Sequence, residues 1–285
     1  MAGSDPSIVG RALTVAGSDS GGGAGVQADI KTFAAFGVYG MSAITAVTAQ
    51  NTRGVRAIAS LPPALVESQI EAVVEDLGVD AIKTGMLANA AIVRAVAAVL
   101  GRLAAVPLVV DPVMRSKGGA PLLEDDAVVA VRDDLLPLAF VLTPNLPEAA
   151  ALLGCDVREL DSWESRRQAA TALRRMGAKH ILIKGGHAAG AAGPGDRAED
   201  LWFDGASFRV LAGPRIVTRH THGTGCTLSA AICAGLAQAR PVDQSFATAK
   251  DFVGWAIAHA PGLGSGHGPL NHHRRVACGC EVKPR

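Results

Sequence analysis

Residues 12–33 read ALTVAGSDSGGGAGVQADIKTF: an apolar run from Ala12 to Ala16, a glycine-rich turn from Gly17 to Gly25, then Val26, Ile30 and Phe33 as a stripe at helical spacing. A strand that turns through glycines into a helix is the opening half of a βαβ unit. The pattern continues. Short runs fall at Ser42–Ala49, Asp80–Lys83, Leu108–Asp111, Phe140–Leu142 and His180–Ile183, several apolar throughout, as strands covered on both faces are. Val66, Ile70, Val73, Val74 and Leu77 follow Pro62 and Pro63 at helical spacing, and proline suits a first helical turn. Leu228, Ala231, Ile232, Gly235, Leu236 and Ala239 make a second apolar face, and Phe246, Ala249, Val253, Ala256 and Ala260 a third. The expectation is an α/β fold of three layers, a central mostly parallel sheet with helices on both faces.

Later the pattern shortens. Asp200–Phe203, Ser207–Leu211 and Arg215–Thr218, separated by Gly205 and Gly213, read as hairpins that end the sheet antiparallel. The stretch AAGAAGPGDRA, residues 188–198, follows a strand end, where α/β folds bind ligands; a lid and a plain surface loop both fit it. Residues 1–10 and 271–285 carry no periodic apolar pattern, so they are expected to be tails around one domain, 11–270.

Composition narrows the function. With 285 residues, 49% of them hydrophobic, the chain can bury roughly three quarters of its unfolded surface, which excludes disordered and fibrous classes. Lys+Arg 27 against Asp+Glu 26 leaves a net charge of +1, and aromatic residues are 4%. Neither a field nor a stacking surface for nucleic acid follows, nor attraction to an anionic membrane; a small-molecule partner is expected. The five cysteines form no CxxC pair, so reduced thiols, a cytoplasmic location and no zinc site are expected. No secretory signal pattern opens the sequence, and the uncharged stretch 32–52 is interrupted by Gly37, Gly40, Ser42 and Gln50.

Glycine, 33 residues or about 12% against a usual ~7%, marks the sites. The Gly17–Gly25 turn matches neither the G-x-G-x-x-G fingerprint nor a Walker loop, and a ligand-lining backbone or a tight structural turn explains it. His222-Gly223-Thr224-Gly225-Cys226-Thr227 opens an amphipathic helix, where consecutive N–H groups and the helix dipole favour an anion such as a phosphate in transfer. Cys226 falls in the first turn, where a thiol pKa is typically lowered and thiolate becomes available. A small cysteine opening a core helix explains the same residues. Thr143-Pro144-Asn145-Leu146-Pro147-Glu148 reads as a helix cap, Asn145 with Glu148 three residues on. A carboxylate and an amide at a strand end also suit hydrated Mg²⁺ with a triphosphate, and Asp111 closes another strand in the same manner. Only seven lysines stand against twenty arginines, which singles out Lys184 and Lys250. Gln50 ends the second strand; a primary amide that donates and accepts in parallel fits the edge of an aminopyrimidine, and a turn cap fits the position equally.

Taken together and in order, AGSDSGGGAGVQADIKT, TAVTAQNT, KTGML, VVDPVM, LTPNLPEA, LIKGGH and HGTGCTLSAAI resemble the hydroxymethylpyrimidine/phosphomethylpyrimidine kinases of thiamine biosynthesis, in the ribokinase superfamily; the match spans Leu13 to Leu270. The resemblance implies a ribokinase-like fold, ATP and Mg²⁺ as co-reactants, a homodimer, and two successive phosphorylations of 4-amino-5-hydroxymethyl-2-methylpyrimidine, to the monophosphate and then the diphosphate. By position it implies that Gln50 and Asp29 belong to the pyrimidine pocket, lined by Gly17, Met86 and Val113. It places Asp111 and Glu148 by Mg²⁺ and the phosphates with Asn145 in support, Lys184 and Lys250 near ATP, and Gly223, Thr224, Gly225 and Cys226 as the anion hole.

Cysteine stands where sugar kinases of the superfamily commonly carry an aspartate base. A carboxylate there would repel a substrate that already carries phosphate, and the expectation is that Cys226 takes the hydroxymethyl proton in the first reaction only. The sequence departs from the family pattern at Thr48, where an apolar pocket residue is expected, at Arg115-Ser116-Lys117 after DPVM, and in the 188–198 loop. The competing readings are a pyridoxal or pyridoxine kinase and a non-catalytic pyrimidine-binding regulator. Gln50 and Cys226 speak against the first, and Asp111, Glu148 and Lys184 against the second. The sequence has no G-x-S-x-G nucleophile elbow, and its histidines, His222 among them, are expected to cap or support rather than to bind metal.

Overall fold

The structure, a computed structural model, describes residues 9–185 and 197–276. Among these, nine strands form one sheet: β1 (Arg11–Asp19), β2 (Tyr39–Asn51), β3 (Gly54–Ser60), β4 (Ala81–Thr84), β5 (Leu108–Val110), β6 (Val141–Leu142), β7 (His180–Ile183), β8 (Arg197–Phe203) and β9 (Phe208–Pro214). The helices are α1 (Gly25–Ala35), α2 (Pro63–Asp76), α3 (Ala90–Gly101), α4 (Asp125–Ala130), α5 (Leu146–Leu153), α6 (Trp163–Arg175), α7 (Thr224–Ala237) and α8 (Val242–Ala258). The strand order is β3-β2-β1-β4-β5-β6-β7-β8-β9. From β2 to β7 neighbours run parallel, while β3, β8 and β9 pair antiparallel at the two edges.

Strand alternation distributes the core between two faces. Leu13 and Val15 of β1, Leu108 and Val110 of β5, and Ile181 and Ile183 of β7 pack on one side with Ile70, Val96 and Leu173 of α2, α3 and α6. Ala12, Val109 and Leu182, one step out of phase, pack on the other with Phe33, Ile232 and Phe252 of α1, α7 and α8. Each large side chain so buried contributes about 1.5–3 kcal/mol. Local signals set the helix starts: Pro63 occupies the first turn of α2, and Asn89 Oδ1 accepts the Ile92 N–H at 3.0 Å to cap α3.

Three expectations need correction. Strand β3 was not anticipated: its residues GVRAIAS are exposed over most of their length, so no burial period marks them. Arg215–Thr218 forms no strand, because Pro214 ends β9, the sheet edge, and Val217 stands 94% exposed. The described parts of the expected tails, residues 9–10 and 271–276, pack on the domain. The Val9 N–H donates to Gly37 O, the Asn271 N–H to Ala256 O and the Val276 N–H to Ala35 O. Of the 188–198 loop, only Arg197 and Ala198 lie within the described residues, where they open β8. Cys278 and Cys280 lie outside them.

The chain leaves β1 for β2 on one side and returns to β4 on the other. Open α/β sheets bind ligands outside the carboxyl ends of strands at such a reversal. No helix among the described residues is long and apolar enough to cross a membrane.

Candidate active site

The carboxyl ends of four parallel strands are stitched side by side by backbone bonds. The Asp111 N–H donates to Thr84 O at 3.1 Å, the Thr143 N–H to Val110 O at 2.9 Å and the Lys184 N–H to Pro144 O at 2.8 Å. Asp111, Asn145 and Lys184 thus emerge together. Lys184 Nζ lies 2.8 Å from Asp111 Oδ1 and 3.6 Å from Glu148 Oε2. Thr143 Oγ1, 3.2 Å from Oδ1, and Ser229 Oγ, 3.1 Å from Oδ2, complete the surroundings of Asp111. Asn145 and Glu148 do form the capping box of α5, with bonds of 2.9 and 2.8 Å, so capping and site share the same side chains.

Burial opposes a charge on Asp111, but Lys184 and then Lys83 hold its carboxyl below the ordinary value. Glu148 goes the other way. Burial and, against Lys184, the charge of Asp111 push it up to about 7 from 4.5. A carboxyl whose folded value is raised contributes stability that is present below about 4.5 and lost as pH rises through about 7. Glu148→Gln, neutral throughout, should therefore gain on the order of 3 kcal/mol against the wild type between pH 4.5 and 8. Urea denaturation of both proteins across that range checks this; parallel stability profiles would contradict the raised carboxyl.

The opposite wall is the first turn of α7. The Gly225 and Cys226 N–H groups come before the first carbonyl that the helix can offer them, while the Thr224 N–H donates to Thr221 O at 3.4 Å and the Thr227 N–H closes on Gly223 O at 2.9 Å. A Cβ on Gly225 would sit 3.3 Å from Lys184 Nζ and 3.7 Å from Asp111 Oδ2, so the helix N-terminus and the Lys184 cluster meet. Glycine is required at 223: its φ is +85°, and a Cβ there would lie 1.8 Å from Gly23 O.

Cys226 departs from the expectation of a lowered thiol pKa. Burial pushes it up to about 11; Lys83 pulls it down, Asp29 and Asp111 oppose that, and the Gly25 backbone N–H provides a weaker favourable contact. A helix N-terminus does not overcome desolvation here.

The glycine-rich turn also serves a different purpose from the one its composition offers. Asp19 Oδ1 accepts the Gly21 N–H at 2.8 Å, and Oδ2 accepts the Gly23 N–H at 3.1 Å and the Ala24 N–H at 2.9 Å. The turn is wound around its own carboxylate, which His222 Nε2 also approaches, to 2.8 Å.

Of the residues assigned to a pyrimidine pocket, Gly17 and Met86 are neighbours: a Cβ on Gly17 would lie 3.1 Å from Met86 Sδ. Val113 lines a small cavity with Thr84, Gly85 and Asp111. Gln50 lines a separate small recess with His222, Ser116 and Lys117. Asp29 lines neither of these recesses. It is fully buried on α1, its oxygens 2.8 and 2.7 Å from Lys83 Nζ, with Thr14 Oγ1 donating at 2.7 Å. Lys250 is paired with Asp200, whose other oxygen accepts the Gly185 N–H at 3.0 Å, so it reaches the Lys184 strand end through Asp200 rather than directly. Sequence reasoning missed Asp19, Lys83 and Ser229. Lysine scarcity, used to single out Lys184, applied equally to Lys83.

Comparisons with known proteins bear on this geometry. A sequence model described as phosphomethylpyrimidine kinase matches residues 19–271. The hydroxymethylpyrimidine/phosphomethylpyrimidine kinase of Haemophilus influenzae is 51% identical over 266 residues, 93% of this chain and 97% of that protein. The chain belongs to the phosphomethylpyrimidine kinase family. It is a kinase, a phosphotransferase, with the ribokinase-like fold. It is also 50% identical to the thiamine biosynthesis bifunctional protein of Geobacter sulfurreducens over 263 residues, 92% of this chain but 52% of that longer protein. Among solved structures, the ADP complex of Bacillus subtilis pyridoxal kinase superposes with a TM-score of 0.83 at 36% identity, covering 93% of this chain and 97% of that one. The phosphomethylpyrimidine kinase of Clostridium difficile superposes at 0.75 with 39% identity, covering 87% and 99%. The kinase family therefore shares its fold with pyridoxal kinases, and fold alone does not select the heterocycle.

Proposed function

We propose that this site transfers the terminal phosphoryl group of ATP to the hydroxymethyl oxygen of 4-amino-5-hydroxymethyl-2-methylpyrimidine, then transfers another to the monophosphate, on the route to thiamine. The observation that carries this reading is the meeting of the first turn of α7 with Lys184, Asp111 and Glu148 at the strand ends. In each round a bond forms between the acceptor oxygen and phosphorus, and the phosphorus–oxygen bond to ADP breaks. The hydroxyl proton leaves to solvent in the first round; the ionised monophosphate oxygen has none to lose. Phosphoryl transfer asks mainly for positioning and charge stabilisation, which the Gly225 and Cys226 N–H groups and Lys184 supply.

Mg²⁺ suits the same residues. Among the described residues no cluster of three or more His, Cys, Asp or Glu gathers as a cage, and Mg²⁺ with a nucleotide usually takes one or two carboxylates, keeping water and phosphate for the rest. Asp111 and Glu148 are the carboxylates that would hold it, and it would neutralise phosphate charge. Lys184, beside both carboxylates, offsets part of their mutual repulsion. Lys250, tied to Asp200, is proposed to support the ATP side.

Gln50 is the proposed reader of the pyrimidine edge. Gln50→Ala should raise KM for the pyrimidine alcohol about tenfold with kcat within about threefold, as loss of a paired hydrogen-bond contact does. Steady-state ADP release checks this, and an unchanged KM would remove Gln50 from the site. The reading as a whole is tested by ADP release from Mg·ATP with the pyrimidine alcohol, its monophosphate, pyridoxal and ribose in parallel. Turnover of both pyrimidines is expected. Preference for pyridoxal would favour the vitamin B6 reading, and silence on all four a binding protein.

A further inference from the structure

Gln50 is held from two sides by groups whose hydrogens can be assigned. One end of its amide lies 3.2 Å from Thr48 Oγ1 and the other 3.3 Å from His222 Nε2. Thr48 Oγ1 is 2.9 Å from the Ser18 carbonyl oxygen, and His222 Nε2 is 2.8 Å from Asp19 Oδ2. Asp19, Thr48 and His222 are all buried. Burial opposes charge on Asp19, but His222 and then the Gly21 and Ala24 N–H groups hold its carboxyl below the ordinary value, so it is an acceptor only.

The hydrogen count then leaves one arrangement. A carbonyl only accepts, so the single hydroxyl hydrogen of Thr48 goes to Ser18 and its lone pairs face Gln50. A carboxylate only accepts, so His222 Nε2 carries a hydrogen. The Gln50 atom at Thr48 must therefore donate, which turns the amide oxygen toward His222, where it can only share the one Nε2 hydrogen whose nearer acceptor is Asp19. With Oε1 at Thr48 and Nε2 at His222, lone pairs would meet lone pairs and N–H would meet N–H. A half-turn of the amide pairs the Thr48 end, brings its oxygen to the side of the His222 N–H that Asp19 holds, and leaves the heavy-atom positions nearly unchanged.

We infer that Thr48, with the Asp19 and His222 pair, locks the Gln50 amide with its oxygen at His222 and its nitrogen at Thr48, and that this lock makes the site discriminate a 4-amino from a 4-oxo pyrimidine. The inference rests on the proposal that Gln50 faces the substrate. The locked amide keeps one lone pair on Oε1 and one N–H on Nε2 for a ligand, in fixed order. An aminopyrimidine edge offers an amino donor and a ring-nitrogen acceptor, which match that order. A 4-oxo pyrimidine carries its ring N–H and carbonyl in the reverse order, so it fits only a turned amide. Thr48, Asp19 and His222 touch no substrate in this account; they are positioning residues. Thr48 is also the position where the sequence departs from an apolar pocket residue, which would give the Gln50 nitrogen no acceptor.

The test compares kcat/KM for the 4-amino alcohol and its 4-oxo analogue in the wild type, Thr48→Val, Thr48→Ser and Gln50→Ala. In Thr48→Val, which keeps the side-chain shape, the amino-over-oxo preference should fall about five- to tenfold, the value of one neutral hydrogen bond, with KM for the amino alcohol raised and its kcat within about twofold. Thr48→Ser should restore it. A preference unchanged in Thr48→Val, or equal losses on both analogues, overturns the lock; Gln50→Ala then still collapsing the preference shows that Gln50 reads the substrate without it. Unchanged KM and preference in Gln50→Ala removes both. A readout in the wild type alone is the long-range ¹H–¹⁵N spectrum of the histidine rings: a protonated Nε2 on His222 is expected, and an unprotonated one overturns the assignment.

Discussion

Replacing Lys83 by methionine should lower the stability of the fold by about 3–5 kcal/mol, the usual cost of removing one partner from a buried ion pair. Lys83 and Asp29 are both fully buried, and Nζ holds both carboxylate oxygens at 2.8 and 2.7 Å. Asp29 sits on α1, Lys83 on β4 and Thr14, which also donates to Asp29, on β1. The pair thus ties the first helix to two central strands. Burial already holds the Asp29 carboxyl above its ordinary value, with Lys83 pulling it down; in the variant it would be a carboxyl without a counter-charge, and its folded pKa would rise further. Its contribution is then preserved at low pH and lost as pH rises through the raised value, so the deficit should be larger at pH 8 than at pH 4. The double change Lys83→Met with Asp29→Leu should recover most of the loss, because hydrophobic isosteres replace such pairs at little net cost. Urea midpoints at both pH values check the sign. A single variant as stable as the wild type at pH 8 would contradict an ionised pair.

The second large effect is expected at Cys226. Changing it to aspartate places a carboxylate at the first turn of α7, beside the oxygen that accepts phosphoryl in the proposed reaction. For the pyrimidine alcohol that oxygen is neutral. For the monophosphate it belongs to a dianion, and repulsion of about 4 kcal/mol per charge pair at 4 Å in a partly screened site makes a loss of at least about a hundredfold. Cys226→Asp should therefore retain much of the first phosphorylation and lose the second. Separate assays on the alcohol and the monophosphate decide it, and equal losses would place the side chain away from the acceptor. Cys226→Ser is the control. A thiol pushed up to about 11 is neutral at physiological pH, so the expected role as a first-step base has no resting thiolate behind it. Both steps should then fall by similar factors in that variant.

The parts of this site that the sequence made legible stand at element boundaries. Asp111, Asn145, Lys184 and Gly223 to Cys226 each end an apolar strand or begin an amphipathic helix, and such positions can be recognised without knowing what lies opposite. Strands β1, β4, β5 and β7 were legible because both of their faces are covered, which leaves continuous apolar runs. Strand β3 was not, since exposed residues carry no burial period. Lys83 was hidden inside an apolar strand because its partner Asp29 is 54 residues away, on a helix that spacing alone does not orient. Asp19 was hidden by the glycines around it, which read as ligand-binding backbone although their N–H groups close on its own oxygens. Lys250 was placed near ATP on resemblance; its bond to Asp200 crosses from a helix to an antiparallel hairpin, a pairing that no local pattern announces.

One measurement tests the central claim most directly: the purified protein with Mg·ATP and 4-amino-5-hydroxymethyl-2-methylpyrimidine, followed over time by product mass and ADP release. The account predicts that the monophosphate rises and then falls as the diphosphate accumulates, with ADP released in each round. A reaction that stops at the monophosphate, or no reaction with the pyrimidine while pyridoxal is phosphorylated, would contradict it.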